Sequence, residues 1–170
     1  VSESGMNLSV EVTDKAGALS EASRIVLPGV GAFGDCRAGL NALPGMVEAL
    51  ENEVRGKGKP FLGICVGMQL MAERGLEHGI HDGLGWIPGE VSALKPEDET
   101  LKIPHIGWNQ LDLVRPHPVL EGVESGAHFY FVHGYEMICA KREHILATTD
   151  YSGAVTAVVA RDNLVGTQFH

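Results

Sequence analysis

Cysteine is scarce in this sequence, and its spacing excludes two kinds of site. The 170 residues contain three cysteines, Cys36, Cys65 and Cys139. An odd number of widely spaced cysteines without a Cys-x-x-Cys pair argues against a disulfide framework and against a zinc site. The eight histidines also lack the i, i+4 spacing of a helical metal site. We therefore expect no metal and a reducing, cytoplasmic compartment.

Long apolar runs and clusters of basic residues are also missing. No apolar run approaches the roughly 20 residues that span a bilayer, and residues 1–5 do not suggest a signal peptide. The formal net charge of −9 argues against general nucleic-acid binding, which depends on clustered Lys and Arg. With 44% hydrophobic and 21% charged residues the composition is typical of a globular protein, and the length suits one domain over residues 1–170.

The first half of the chain predicts strands and helices in alternation. Residues Leu43, Met46, Val47, Leu50 and Val54 follow a helical period, whereas short β-branched runs are typical of buried strands. This alternation implies a parallel sheet covered on both faces. The predicted elements are a strand at 8–12, a helix from the N-cap Asp14 to about Ala22, a strand at 24–27, a helix at 44–55, a strand at 60–64 and a helix at 66–74.

The second half of the chain predicts mainly strands. Turn signals such as Asp150-Tyr151-Ser152-Gly153 separate them, which indicates a mixed or antiparallel arrangement. We therefore expect a three-layer α/β fold with a strand-rich second half. The predicted strands are 86–91, 111–114, 129–135, 145–149, 154–160 and 164–169.

A cysteine flanked by two glycines lies between a predicted strand and a predicted helix, in the segment Gly63-Ile64-Cys65-Val66-Gly67. It is the cysteine counterpart of the G-x-S-x-G nucleophile turn, in which flanking glycines allow the backbone to approach closely. The start of the helix is expected to favour the thiolate form of Cys65 and to aim the Val66 N–H at an oxyanion. The alternative is a buried structural cysteine, which we retain for Cys36 and Cys139.

A glycine-rich loop follows the strand at 24–27. Gly29, Gly31 and Gly34 fit the spelling G-x-G-x-x-G, but no acidic residue at a strand end follows at the distance that a dinucleotide site requires. We interpret the loop as a row of exposed backbone N–H groups that face Cys65. An ordinary βα loop is the alternative.

His170 is the candidate base for Cys65. It follows the last predicted strand, where it can face a nucleophile on a neighbouring strand. His133 also lies at a strand end, and composition does not choose between the two histidines.

Together these segments resemble the class I (triad) glutamine amidotransferases. The family motifs are a P-G-V-G-x-F loop, a G-I-C-x-G-x-Q turn and a Q-F-H-P-E terminus. The matching residues are Pro28-Gly29-Val30-Gly31-Ala32-Phe33, Gly63-Ile64-Cys65-Val66-Gly67-Met68-Gln69 and Gln168-Phe169-His170. The resemblance implies a flavodoxin-like α/β fold and hydrolysis of L-glutamine to glutamate and ammonia without a cofactor.

Two further segments resemble one branch of that family, the glutaminase subunits of imidazole glycerol phosphate synthases. They are Pro104-His105-Ile106-Gly107-Trp108-Asn109 and Tyr130-Phe131-Val132-His133-Gly134-Tyr135. The likeness implies a heterodimer in which ammonia passes to a (βα)₈-barrel cyclase subunit. There it reacts with a phosphoribulosyl-formimino aminoimidazole carboxamide ribonucleotide to give imidazole glycerol phosphate, within histidine biosynthesis.

The resemblance also implies roles for individual residues. Cys65 attacks the glutamine amide carbon, His170 transfers protons, and the oxyanion hole uses N–H groups of Val66 and of Val30 or Gly31. Residues expected near the bound glutamine are Gln69, His133, Gly134 and Tyr135. Residues expected at the partner interface are Pro104, Trp108 and Asn109, with a core aromatic as the alternative for Trp108.

The sequence departs from the family pattern at several points. In the family, His170 is followed by Pro and by a Glu that orients the histidine, and a C-terminal helix is expected beyond them. The family also has a strand and a helix before the first residue of this sequence. Gly134 replaces the usual Ser or Thr, and Val66 replaces Leu. Rival interpretations are a glutaminase for anthranilate, guanylate or pyridoxal phosphate synthesis, and a non-catalytic binding subunit.

Overall fold

The computed structural model describes residues 9–170. Four α-helical segments occur in that part of the chain: α1 (Ala18–Glu21), α2 (Phe33–Ala42), α3 (Met46–Leu50) and α4 (Val66–Gln69). The strands there are β1 (Ile25–Gly29), β2 (Phe61–Cys65), β3 (Arg74–Gly75), β4 (His81–Asp82), β5 (Gly89–Ala93), β6 (His105–Gln110), β7 (Asp112–Leu113), β8 (His128–His133), β9 (Tyr135–Cys139), β10 (Ile145–Asp150), β11 (Ala154–Arg161) and β12 (Leu164–Thr167). No helix of residues 9–170 is both long and apolar enough to cross a membrane.

The strands form one large sheet and two smaller ones. The large sheet has the order β1-β2-β12-β11-β10-β7, and the smaller ones are β4-β3-β5-β9 and the two-stranded ribbon β6-β8. Strands β1, β2 and β12 are parallel, whereas β11, β10 and β7 are added antiparallel. The predicted α/β class with a mixed second half is therefore confirmed.

The register of the parallel strands brings three chain segments to one point. Strand β2 lies between β1 and β12, with Gly29 opposite Cys65 and Thr167 opposite Ile64. Because parallel strands end at the same edge of a sheet, the segments that follow them meet there. The loop after β1, the turn at Cys65 and residues 168–170 consequently surround a single site.

Several predicted elements differ from the structure. Residues 9–12 of the predicted strand at 8–12 are irregular and mostly exposed, and Leu8 lies outside the described residues. Helix α1 begins at Ala18 with Gly17 as its N-cap, so the predicted cap at Asp14 is wrong. The helix predicted at 44–55 is confirmed: it begins at Met46 and continues as the π-helical turn Glu51–Gly56. Helix α2 and strand β6 were not predicted.

The helix predicted at 66–74 is too long, because its later carbonyl groups bond to another segment. The Leu70 carbonyl accepts from Leu84 N–H at 2.7 Å, and the Met71 carbonyl accepts from Trp86 N–H at 2.9 Å. A continuing helix would use these carbonyls for N–H groups four residues further on. Helix α4 therefore ends at Gln69, and residues 70–72 join the core as turns.

Two groups of buried side chains hold the sheets together. The larger lies where the first helices pack on β1 and β2 and includes Phe33, Leu50 and Met68. The smaller lies around the antiparallel strands and includes Phe131 and Leu146. At roughly 25 cal/mol per Å² of apolar surface removed from water, this burial is the main source of stability.

Candidate functional site

Cys65 occupies a strained backbone turn between β2 and α4. Its φ is 54° and its ψ is −114°, a conformation that residues with side chains rarely adopt. A Cβ on Gly63 would lie 2.6 Å from the Gly67 carbonyl oxygen, and a Cβ on Gly67 would overlap the Leu27 carbonyl oxygen. The two glycines that the motif places around Cys65 are thus required by close backbone packing, and the turn brings the sulfur to the edge of the sheet.

Burial keeps the Cys65 thiol protonated. The residue is 6% exposed, and desolvation raises the pKa of its thiol above the ordinary value. Hydrogen bonds from the Val66 N–H and from the Gln168 side chain, whose Nε2 lies 3.6 Å from Sγ, lower that pKa but do not outweigh burial. The Val66 N–H at the start of α4 therefore acts in the predicted direction, toward the thiolate, but its effect is smaller than that of burial.

The glycine-rich loop lies directly against this turn. A Cβ on Gly29 would lie 2.9 Å from the Val66 Cβ, so the end of β1 touches the start of α4. Val30 and Gly31 follow, with Gly31 in a left-handed conformation at φ 107°. Helix α2 then begins at Phe33. The loop brings its backbone to the same side of the sheet as Cys65.

Cys65 opens into a cavity of about 240 Å³. Such a volume suits a ligand of amino-acid size, since drug-sized ligands occupy larger pockets. Trp108 and Asn109 do not line the cavity. The predicted residues that do are Cys65, His170, Val30, Gly31, Val66, Gln69, His133, Gly134, Tyr135 and Pro104.

Glu77 and Val132 also line the cavity and were not predicted as site residues. The Glu77 Oε2 atom accepts a hydrogen bond from the Phe33 N–H, the first residue of α2, at 2.7 Å. Glu77 thereby caps that helix with one oxygen while its carboxylate faces the cavity. No sequence motif surrounds Glu77, so only the folding of the 76–80 turn onto α2 reveals it.

The two candidate histidines have different surroundings. His133 is buried, with both ring nitrogens in hydrogen bonds: Nδ1 lies 2.9 Å from the Tyr135 carbonyl oxygen and Nε2 lies 3.1 Å from His105 Nδ1. Burial lowers the pKa of His133 to about 4. His170 is exposed, and within residues 9–170 its ring makes no hydrogen bond. Of these two histidines, only His170 therefore has a ring nitrogen free for proton transfer.

The ribbon β6-β8 lies beside the cavity and exposes an apolar face. Trp108 is 71% exposed and contacts Tyr130 edge to face, with ring centroids 5.6 Å apart. Ile106 and Val132 are a neighbouring pair on the same face. Trp108 is therefore not a core aromatic. We refer to Ile106, Trp108, Tyr130 and Val132 as the apolar face.

Comparison with known sequences gives consistent matches. The family model described as glutamine amidotransferase class-I matches residues 4–170. The imidazole glycerol phosphate synthase subunit HisH of Brucella suis biovar 1 (strain 1330) is 54% identical over 171 residues, which cover 99% of this chain and 79% of that protein. Subunit HisH of Bradyrhizobium diazoefficiens is 57% identical over 152 residues, covering 88% of this chain and 70% of that protein.

Solved structures match the fold. The crystal structure of a glutamine amidotransferase superposes with a TM-score of 0.71 at 15% identity, covering 96% of this chain and 78% of that one. A glutamine amidotransferase from Thermotoga maritima superposes with a TM-score of 0.64 at 22% identity, covering 89% of this chain and 57% of that one.

Proposed function

This chain belongs to the class I glutamine amidotransferase family, and we propose that it is the glutaminase subunit of an imidazole glycerol phosphate synthase. Relatives that are 54% identical over 99% of the chain are subunits of that synthase. The enzyme hydrolyses L-glutamine to glutamate and ammonia, and the ammonia serves imidazole glycerol phosphate formation in histidine biosynthesis. In this proposal residues 1–170 belong to one amidotransferase domain.

The observation that carries this proposal is the position of Cys65. It stands on a strained turn at the end of the central parallel strand and faces a cavity of amino-acid size. The glycine-rich loop and His170 line the same cavity. A nucleophile, a base and backbone N–H donors at one point are what acyl transfer requires.

The first half of the reaction forms a thioester. The Cys65 sulfur attacks the side-chain amide carbon of glutamine while His170 takes the thiol proton, since burial keeps the resting thiol protonated. The carbonyl π electrons move to oxygen, and the N–H of Val66 with an N–H of the glycine-rich loop stabilises the oxyanion. When the intermediate collapses, the carbon–nitrogen bond breaks, His170 protonates the nitrogen, and ammonia leaves.

The second half of the reaction hydrolyses the thioester. His170 takes a proton from water, and the hydroxide attacks the thioester carbon through a second oxyanion at the same donors. Collapse breaks the carbon–sulfur bond, and the sulfur regains its proton from His170. Glutamate leaves, and Cys65 and His170 return to their starting states.

The cavity also offers groups for the amino-acid end of glutamine. Glu77 is the acidic group on the cavity wall, and its carboxylate suits the substrate α-ammonium. Gly134 and Tyr135, at the turn into β9, also line the cavity and offer backbone groups to the substrate. Gln69 and His133, both buried, line the cavity as well.

We propose that the partner is a (βα)₈-barrel cyclase subunit and that it docks on the apolar face, next to Pro104 and Asn109. Exposed aromatic and branched residues in one patch are typical of protein interfaces. The patch lies beside the cavity, so a short route connects the two. The three free cysteines among the described residues suit the cytoplasm, which is the proposed compartment.

Ammonia and glutamate release from glutamine tests this proposal. We expect slow release by the protein alone and faster release when the cyclase subunit and its nucleotide are present. Cys65→Ala should abolish glutamine-dependent synthesis but leave ammonia-dependent synthesis in the complex intact, whereas Cys139→Ala should leave both unchanged. Equal glutamine hydrolysis with and without the loaded cyclase would contradict the coupled function.

A further inference from the structure

A hydrogen-bonded pair of buried histidines leads toward the cavity from outside it. His105 Nδ1 lies 3.1 Å from His133 Nε2, and His133 Nδ1 lies 2.9 Å from the Tyr135 carbonyl oxygen. A carbonyl oxygen only accepts, so His133 Nδ1 carries the hydrogen. Burial keeps the His133 ring neutral, with a pKa of about 4, and its Nε2 therefore accepts. His105 must then donate from Nδ1.

Asn109 completes this arrangement at its outer end. Its Nδ2 lies 2.8 Å from the Asp150 carbonyl oxygen, and its Oδ1 accepts from the Gln110 N–H at 2.8 Å. These two contacts fix which way the amide points. Nδ2 also lies 3.3 Å from His105 Nε2, the nitrogen that is left as the acceptor. Every donor and acceptor between Asn109 and the Tyr135 carbonyl is thus determined.

The same carbonyl connects to the nucleophile. The Tyr135 oxygen accepts a second hydrogen bond, from Gln69 Nε2 at 3.3 Å. Gln69 Nε2 also donates to Gln168 Oε1 at 2.9 Å, which turns Gln168 Nε2 toward Cys65 Sγ at 3.6 Å. Gln69 and Gln168 are both buried, so water does not compete for these bonds. We call the full series the polar chain: Asn109, His105, His133, the Tyr135 carbonyl, Gln69, Gln168 and Cys65.

The polar chain is more than the ordinary pairing of buried polar groups. His144 is also buried, yet its Nδ1 has no hydrogen-bond partner, so burial alone does not force such pairing in this protein. The polar chain is a continuous series of hydrogen bonds, the direction of each donor is fixed, and the series ends at Cys65 Sγ. A donor at that sulfur stabilises the thiolate against the burial that opposes it.

We propose that Asn109 and His105, which do not line the cavity, are positioning residues that set the reactivity of Cys65 through this chain. They hold His133 and the Tyr135 carbonyl, which in turn orient the two glutamine side chains. Gln168 then presents its N–H to the sulfur. Because β6 carries Trp108 on its outer face, the chain also connects that surface to the nucleophile. The assignment of Cys65 as nucleophile rests on the proposed function.

The test is the pH dependence of Cys65 alkylation by iodoacetamide in a Cys36→Ser/Cys139→Ser background. His105→Phe keeps a ring to stack on Tyr151 and Phe131, with centroids now 4.0 and 5.0 Å away, but removes both nitrogens. We expect its alkylation midpoint to rise by about one pH unit and its rate at neutral pH to fall about tenfold. His105→Asn, which keeps a donor near Nδ1, should remain near the parent.

His144→Phe is the matched control, since it removes a buried histidine outside the polar chain. It should leave the alkylation midpoint unchanged. An unchanged midpoint in folded His105→Phe, or an equal shift in His144→Phe, would overturn the proposal. If His105→Phe fails to fold, Asn109→Leu takes its place, with the same expected direction and the same overturning result.

Glutamine hydrolysis separates this inference from the proposed function. His105→Phe should lower kcat about tenfold while KM for glutamine changes less, since His105 does not itself line the cavity. A parent protein that never hydrolyses glutamine would overturn the proposed function but leave the alkylation result to decide the polar chain. Active enzyme with unshifted alkylation would overturn the polar chain alone.

Discussion

Gly67 faces the Leu27 carbonyl oxygen so closely that a methyl group on Gly67 would overlap that oxygen. We expect Gly67→Ala to lower the free energy of unfolding by about 3 kcal/mol, because strand β1 must move away from the turn. Gly39→Ala is the control: it lies in α2 with open space around its Cα, and alanine there should stabilise slightly. Urea unfolding measures both. Equal stabilities of the two variants would contradict the close approach.

Stability should fall in acid because His133 is buried as a neutral ring. Its pKa changes from 6.5 to about 4 on folding, so between these values the unfolded chain binds more protons than the folded one. The neutral His133 ring therefore contributes about 3 kcal/mol to the free energy of unfolding. This contribution is complete above pH 6.5 and is lost as the pH falls to about 4.

Urea unfolding across that pH range measures this loss. His133→Gln should show a shallower dependence than the parent, whereas His128→Gln, at an exposed position, should follow the parent. Parallel curves for His133→Gln and the parent would show that His133 is not the responsible group.

Glu77→Gln should weaken glutamine binding. The amide keeps an oxygen for the Phe33 N–H and so preserves the cap of α2, but it removes the charge that we propose binds the substrate ammonium. We expect KM for glutamine to rise about tenfold while kcat changes less than about twofold. Steady-state ammonia release provides the values, with the distant Glu124→Gln as control. An unchanged KM would show that Glu77 does not bind the α-ammonium group of glutamine.

Trp108→Ala should weaken the complex with the cyclase subunit. Removal of an exposed indole from the middle of the apolar face should raise Kd about thirtyfold, an effect of about 2 kcal/mol. Titration calorimetry with the cyclase measures it. Val119→Ala, which trims an exposed apolar side chain outside that face, should leave Kd unchanged. Equal Kd values for Trp108→Ala and the parent would remove this face from the interface.

Much of the large sheet was predictable because its strands are locally distinct. The runs at 24–27, 60–64 and 154–160 are short and mostly apolar, the first and last are rich in β-branched residues, and each largely coincides with a strand. Helix α2 was not predictable in the same way: it contains Gly34 and Gly39, and its buried side chains, Phe33 and Leu40, are too few to form a periodic stripe. Helix α2 is therefore stabilised by its packing against neighbouring segments and not by local helix propensity.

Strand β6 escaped prediction for a different reason. Its inward side chains are the polar His105 and Asn109, and its outward ones are the apolar Ile106 and Trp108. A pattern search assumes the opposite arrangement. Local spacing was enough to identify Cys65 as a candidate, since flanking glycines mark such a turn. Glu77 was not identifiable, because only tertiary contacts bring it to the cavity.

In strand β6, the residues of the polar chain are odd-numbered and those of the apolar face are even-numbered. His105 and Asn109 point inward, and Ile106 and Trp108 point outward, because successive side chains of a strand alternate in direction. Substitutions at even positions of β6 can therefore alter what docks there while the odd positions keep their polar bonds. A one-residue slip of β6 in its pairing with β8 would exchange the two faces, sending the indole inward and the imidazole into solvent.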